Sequence, residues 1–190
     1  LRAEAMLSEL AAISSDPNRL VRLFLSDEHR RAADRVAGWM ADAGMTVSED
    51  ELGTVRGHWR PQGATGKRRL LIGSHIDTVI DAGRYDGPLG VVVGILAVKH
   101  LAAQRAQLPF AIDVLAFGDE EGSRFRSTLT SSSACAGVFD NAMLASADRE
   151  GVTLTEAIER YGKKPSGIPA AAYARDEAAA EMGLRTRPLL

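Results

Sequence analysis

Three short stretches carry side chains whose types and spacing suit metal chemistry. The first is His75-Ile76-Asp77, which closes the apolar run Leu70-Leu71-Ile72-Gly73-Ser74. Residues two apart on an extended segment point the same way, so an imidazole and a carboxylate sit side by side. That pairing suits a metal-binding histidine whose tautomer a neighbouring carboxylate fixes, although a lone His-x-Asp is more often structural. The second stretch is Gly83-Arg84-Tyr85-Asp86-Gly87-Pro88-Leu89-Gly90. Its glycines allow strained backbone and close approach of a ligand around Asp86; the alternative is that Asp86 caps the helix that follows. The third is Gly118-Asp119-Glu120-Glu121-Gly122. Three consecutive carboxylates repel one another unless solvent or a cation compensates. Adjacent residues in an extended segment face opposite ways, so Glu120 and Glu121 are expected to do different jobs, one binding metal and one facing a water. Taken together with His75 and Asp86, this oxygen-rich set with one imidazole fits Zn²⁺, Mn²⁺ or a similar ion, and a shared carboxylate suits two ions about 3.5–4 Å apart.

The elements between these stretches bring them to one place. Leu70 to His75 reads as a strand reaching the carboxyl edge of a sheet. Leu89 to Gln104 is apolar on most of its circumference and predicts a largely buried helix, in which Gly90 and Gly94 allow close approach of a neighbour. Pro109 ends that pattern, and Phe110 to Phe117 reads as a second strand. Strand, helix and strand make a βαβ unit with parallel strands, whose ligand side is the carboxyl edge. The predicted class is α/β, with a mixed, largely parallel sheet flanked by helices.

Upstream, Met6, Leu7, Leu10 and Ile13 recur at helical spacing over Ala3–Ile13. A second helix is bounded by Ser26 as N-cap and Gly44 just past its end, with Ala32, Val36, Trp39 or Met40, and Ala43 on its apolar side; His29 precedes that stripe and reads as a packing or surface histidine. Short strands are expected around Met45–Val47 and Gly53–Trp59, then a hairpin turn at Pro61–Gly66. A phosphate-loop reading of Gly63–Arg68 fails because Arg68 stands where Ser or Thr is required. Downstream, helices are expected over Ser131–Ala147 and Thr153–Tyr161, then a turn at Lys163–Pro169 and an alanine-rich helix from Ala170. No repeat or linker divides the chain.

Composition narrows the class. The 190 residues carry 23 Lys+Arg against 25 Asp+Glu, a net charge of −2, and 45% are hydrophobic. Nucleic-acid-binding domains usually have a pI above about 9, so a nucleic-acid partner is not expected. No apolar run approaches the roughly 18 residues of a membrane helix, so no membrane partner is expected either, and a cytoplasmic location is. The single cysteine, Cys135, has no partner for an internal disulfide and reads as a small buried hydrophobe. The first residue is Leu1 rather than Met, as in a piece of a longer protein.

The stretches GSHIDTV at Gly73–Val79, GRYDGPLGV at Gly83–Val91 and DEEGSRF at Asp119–Phe125 resemble the motifs of the dinuclear-metal amidohydrolases related to zinc aminopeptidases. The branch is that of allantoate amidohydrolase, N-carbamoyl-L-amino-acid hydrolase and β-ureidopropionase. The resemblance implies hydrolysis of linear amide or ureido C–N bonds, allantoate first and N-carbamoyl amino acids next, with two divalent ions, Zn or Mn. It implies His75 as ligand of one metal, Asp86 as bridge, Glu121 as ligand of the other, Asp77 orienting His75 and Glu120 as general base. It also implies a cis peptide at Asp86-Gly87, a role in purine catabolism and a homodimeric full-length parent.

Two departures accompany it. Ser131-Ser132 stands where family members usually have Gly-Ser. More consequentially, the family's two remaining ligands are histidines further along, whereas His29, His58, His75 and His100 all precede Glu121. Residues 1–190 are therefore expected to be the N-terminal part of a catalytic domain, without its closing part or the smaller dimerisation domain. The alternative of another class is a non-catalytic fragment that keeps the motifs without turnover.

Overall fold

The structure, a computed structural model, describes residues 2–175; most of the alanine-rich helix expected from Ala170 lies outside the described residues. Ala170 and Ala171 themselves belong to a 3₁₀ stretch, Pro165–Ala171. Four strands form one sheet: β1 (Thr46–Glu49), β2 (Val55–Trp59), β3 (Arg69–His75) and β4 (Ala111–Phe117). Their order is β1-β2-β4-β3. The β3–β4 pair is parallel, and the β1–β2 and β2–β4 pairs are antiparallel, so the sheet is mixed as expected, but its described pairings are mostly antiparallel rather than largely parallel because β2 pairs with β4 in the opposite direction. β4 takes the centre because six consecutive residues, Ala111 to Ala116, are buried, which only a strand covered on both faces allows.

The central place of β4 overturns one expectation. β2 and β3 lie on either side of it, so residues 60–68 do not form a hairpin. They cross two strand spacings, about 10 Å, with a local turn closed by Ala64 N–H donating to the Pro61 carbonyl at 3.3 Å. The helix expected over Ser131–Ala147 is also broken. α4 covers only Thr130–Cys135, Gly137 turns the chain at φ +68°, and Asp140 caps a 3₁₀ helix at Asn141–Ala145.

Helices α1 (Arg2–Ala11), α2 (Asp27–Asp42) and α3 (Pro88–Ala103) pack on one face of the sheet. Ser26 caps α2 as predicted, accepting the His29 N–H at 3.1 Å. α3 approaches the sheet at its glycines: a β-carbon on Gly90 would lie 2.7 Å from Ser74 Cβ, and one on Gly94 3.1 Å from Ile72. Its burial is less complete than its composition predicts, since Val93 is 52% exposed. Two hydrophobic clusters result. The larger joins α1, α2 and α3 to the sheet and includes Ile76. The smaller gathers Phe24, Leu52, Phe125 and α5 (Leu154–Arg160). Among the described residues no helix is long and apolar enough to cross a membrane.

His29 belongs to the packing. Its ring is fully buried, stacks on Tyr161 at 5.5 Å and meets Phe24 edge-on. Its Nδ1 accepts the Leu25 N–H at 3.3 Å. A β-carbon on Gly118 would come within 2.6 Å of the Leu52 carbonyl and 3.0 Å of the His29 ring, so the imidazole and a glycine together set how the chain leaves β4. Burial pushes His29 down to about 3, and the charges of Arg22 and Arg30 act in the same direction. The folded state therefore binds fewer protons than the unfolded state below pH 6.5. The stability His29 contributes is present in full above about pH 6.5 and is lost progressively as pH falls towards 3, at about 1.4 kcal/mol per unit. Urea melts at pH 7 and pH 4.5 should show a smaller loss of stability for His29→Gln than for the natural sequence.

Candidate metal centre

The parallel register sets His75 beside Phe117, and Ile76 N–H extends the ladder by donating to the Phe117 carbonyl at 2.9 Å. The residues that follow both strands thus emerge together. His75 Nδ1 lies 3.1 Å from the Asp77 carbonyl oxygen. A carbonyl only accepts, so Nδ1 carries the proton and donates, and Nε2 is left free to face outward. Nε2 stands 3.9 Å from Glu120 Oε2 and 4.0 Å from Asp86 Oδ1. Ligand atoms of His75, Glu120 and Glu121 all lie within 4.8 Å of one another, a span that one divalent cation can close.

Asp77 is the hinge of this arrangement. Its Oδ1 accepts the Glu120 N–H and its Oδ2 the Glu121 N–H, each at 3.1 Å. Oδ1 also lies 3.4 Å from His75 Nδ1. Burial alone would depress His75, but its hydrogen bonding and charge pairing with Asp77 dominate and raise it to about 9, so without a cation Nε2 also carries a proton, the one that a bound cation would replace. Burial raises Glu121, and the neighbouring Asp86, Glu120 and Asp77 add to this against the pull of His75. A crowded set of carboxylates around one imidazole is what a cation would relieve.

The loop into α3 is held close to the imidazole. Ser74 Oγ donates to the Gly87 carbonyl at 2.7 Å. A β-carbon on Gly87 would sit 2.6 Å from the His75 ring, and φ there is +83°. Asp86 does not cap α3, because the N-cap is Gly87 and no side-chain cap bond forms. The Asp86 side chain is instead 65% exposed and reaches His75 from the open side. The cis peptide expected at Asp86-Gly87 is absent: the described peptides are all trans, and Gly87 makes the bend through its positive φ instead.

A second correction concerns Glu120 and Glu121. Their carboxylates share one side of the site rather than facing opposite ways. β4 ends at Phe117, so strand alternation no longer applies, and the two N–H bonds to Asp77 curl the segment around that carboxylate. Among the four histidines only His75 reaches this edge. His29 is in the core, His58 pairs with buried Asp113 on the sheet face opposite α1, α2 and α3, and His100 is exposed in the last turn of α3.

Three features of the site had no role assigned to them from the sequence. Ser131 is buried, accepts the Asp119 N–H at 2.9 Å and donates to the Asp119 carbonyl at 3.1 Å, so the serine at the departure from the family pattern fixes the peptide before the acid pair. The Asp119 carboxylate is buried without a hydrogen bond of good geometry, and burial pushes it up to about 7 against the pull of nearby Thr130. Arg22 packs behind Asp77 in a segment with no motif. Arg124 and Phe125 take structural roles: Arg124 pairs with Asp148 at 3.1 Å and bonds the Phe24 and Leu25 carbonyls, while Phe125 is in the core. Arg124 also borders a cleft of about 660 Å³ that includes Ile80, Ser123 and Tyr161. Cys135 is buried and free, as expected.

The model of peptidase family M28 matches residues 54–182, which spans all three motifs. The chain belongs to peptidase family M28. Members of this family are generally metal-dependent, and the donor set of this M28 chain fits that chemistry. It is similar to allantoate deiminase of Arabidopsis thaliana, with 41% identity over 159 residues, covering 83% of this chain and 30% of that protein. It is also similar to N-carbamoyl-L-amino acid amidohydrolase of Geobacillus stearothermophilus, 39% identical over 168 residues, covering 87% of this chain and 41% of that protein. Among solved structures, a hydantoinase/carbamoylase family amidase from Burkholderia ambifaria superposes with a TM-score of 0.78 at 34% identity, covering 86% of this chain and 40% of that one. The chain thus spans well under half the length of these relatives.

If Asp77 clasps the acid segment, Asp77→Ala should release it. Hydrogen bonds to a charged acceptor are worth about 1.5–3 kcal/mol, so amide exchange at Glu120 and Glu121 should speed up roughly ten- to a hundredfold while central β4 amides stay protected.

Proposed function

We propose that this chain carries the N-terminal part of the catalytic domain of a metal-dependent amidohydrolase acting on linear amide or ureido C–N bonds. Allantoate is the first substrate and N-carbamoyl-L-amino acids the next. The observation that most supports this is His75 Nε2, freed by the bond behind it and aimed at Glu120 and Asp86. Similarity to an allantoate deiminase and to an N-carbamoyl-L-amino acid amidohydrolase supports the substrate class.

In this proposal His75, Asp86 and Glu121 would hold two divalent ions of the Zn²⁺ or Mn²⁺ type. Metal held there supplies Lewis acidity, which polarises a carbonyl and lowers the pKa of water from about 15.7 towards about 7. Glu120 acts as general base: its side chain is 42% exposed, open to water on one side and anchored through its N–H to Asp77 on the other. It takes the proton from water and delivers it to the leaving nitrogen. Asp77 keeps the Nδ1 proton of His75 in place and aims Nε2. The full-length parent is a cytoplasmic homodimer of purine catabolism in this reading, which rests on the resemblance.

In a full-length protein containing this segment, Glu121→Ala should lower metal content. Glu120→Gln should keep the metal and lose about 10²–10⁴ in kcat, as elemental analysis beside steady-state rates would reveal. Full metal occupancy in the Glu121 variant sinks the assignment of roles. A higher kcat/KM for an N-carbamoyl amino acid than for allantoate sinks the substrate choice alone.

For the chain by itself a second reading applies, favoured by the distance of His29, His58 and His100 from the site: a fragment without turnover. One imidazole and its carboxylates make an incomplete cage for two ions, since catalytic sites use about three protein ligands per metal. Zinc calorimetry on the 190-residue chain should show weak binding of fewer than two ions, and no ammonia should be released from allantoate. Tight binding of two ions with turnover would mean that ligands come from elsewhere, such as a second copy.

A further inference from the structure

Arg22 lies in the irregular segment between α1 and α2 and is fully buried. We propose that Arg22 is a positioning residue of the metal centre, its guanidinium fixing the peptide between His75 and Asp77 so that both side chains meet the acid pair. This rests on the reading of His75, Glu120 and Glu121 as a metal site.

The guanidinium reaches the centre from behind. Nε donates to the Ile76 carbonyl at 2.6 Å, and Ile76 is the one residue between His75 and Asp77. Nη1 donates to the Leu10 and Ile13 carbonyls at 2.7 and 2.9 Å, at and just past the end of α1. There the helix dipole favours a cation and terminal carbonyls need donors. The Arg22 backbone takes hold on the other side of Asp77: its N–H donates to Thr78 Oγ1 at 2.8 Å, and its carbonyl accepts the Thr78 N–H at 3.0 Å. Arg22 therefore grips Ile76 and Thr78, and Asp77 stands between them.

The energetics favour a positional role over simple packing. Among the described residues no carboxylate comes within ion-pair distance of the guanidinium, and Nη2 has no hydrogen-bond partner. A buried cation bonded only to neutral carbonyls is costly, and an apolar side chain of similar volume would pack more cheaply. What the charge offers is a fixed fork of donors and a long-range balance to Asp77. Burial pulls Arg22 down to about 10, and the Asp77 charge pulls it back up. Arg22 holds Ile76, Ile76 holds the bend, and the bend aims Asp77 at the Glu120 and Glu121 N–H groups.

The test uses the 190-residue chain, Co²⁺ as probe, and the variants Arg22→Lys, Arg22→Met and Thr78→Val. Val36→Ala serves as a control that opens a cavity in the core at α2, at a residue that forms none of the hydrogen bonds around Arg22 and Asp77. Arg22→Lys keeps the charge but not the fork. It should weaken Co²⁺ binding at least tenfold, alter the visible Co²⁺ absorption bands and speed amide exchange at Glu120 and Glu121 at least tenfold. Thr78→Val, the mildest of the set, should move all three the same way by a smaller factor, and it carries the test should both Arg22 variants fail to fold. The control should lower Tm and leave the bands and the exchange at those two amides unchanged. Wild-type affinity, bands and exchange in the folded Arg22 variants, or in Thr78→Val should those not fold, would overturn the proposal. If the natural chain shows no Co²⁺ binding at all, as an incomplete cage allows, the exchange rates alone decide whether Arg22 positions the segment.

Discussion

One carboxylate joins the two halves of the site. Asp77 stands two residues beyond β3, yet its oxygens hold the N–H groups of Glu120 and Glu121 beyond β4. Parallel pairing brings the strand ends side by side, but a sheet ladder stops where the strands stop. Past that point the separation and facing of imidazole and acids depend on a side chain that bridges the gap. Because Asp77 is buried, these bonds form where water does not compete well, and each is correspondingly stronger.

Much of the surrounding structure serves that bridge. Gly118 lets β4 exit between Leu52 and His29, Ser131 holds the Asp119 peptide, and Gly87 admits the loop into α3 against the imidazole. The charges are unevenly shared. Asp77, Asp86, Glu120 and Glu121 surround one imidazole, and the buried Arg22 lies on the far side, bonded to carbonyls. With so much acid in one place, its members shift in the same sense: His75 and Glu121 are both pushed towards holding a proton, a demand that a cation would relieve.

The sequence made the βαβ unit and its ligand edge legible because hydrophobic period and glycine placement are local signals. The strand ending at His75, the apolar helix with Gly90 and Gly94, and the strand ending at Phe117 all stand where they were expected. Strand order was not legible: that β4 inserts between β2 and β3 is a matter of which strand is buried on both faces. The facing of Glu120 and Glu121 was misjudged because alternation was extended past the end of a strand. Arg22 escaped notice because its partners are carbonyls 9 to 54 residues away, and backbone acceptors leave no mark on the sequence.

The site also straddles a seam. Ile76, next to His75, packs in the larger hydrophobic cluster, whereas Phe125, four residues past Glu121, packs in the smaller one with Phe24 and Leu52. Separately packed regions of a protein often open as distinct cooperative units. A cation drawing His75 and Glu121 together would weld the two into one, since a ligand that binds only the closed form removes the open one from the population. Bound metal would then act as a rivet against proteolytic nicking in the loop after Glu121, a protection conferred on the backbone quite apart from any chemistry done at the metal.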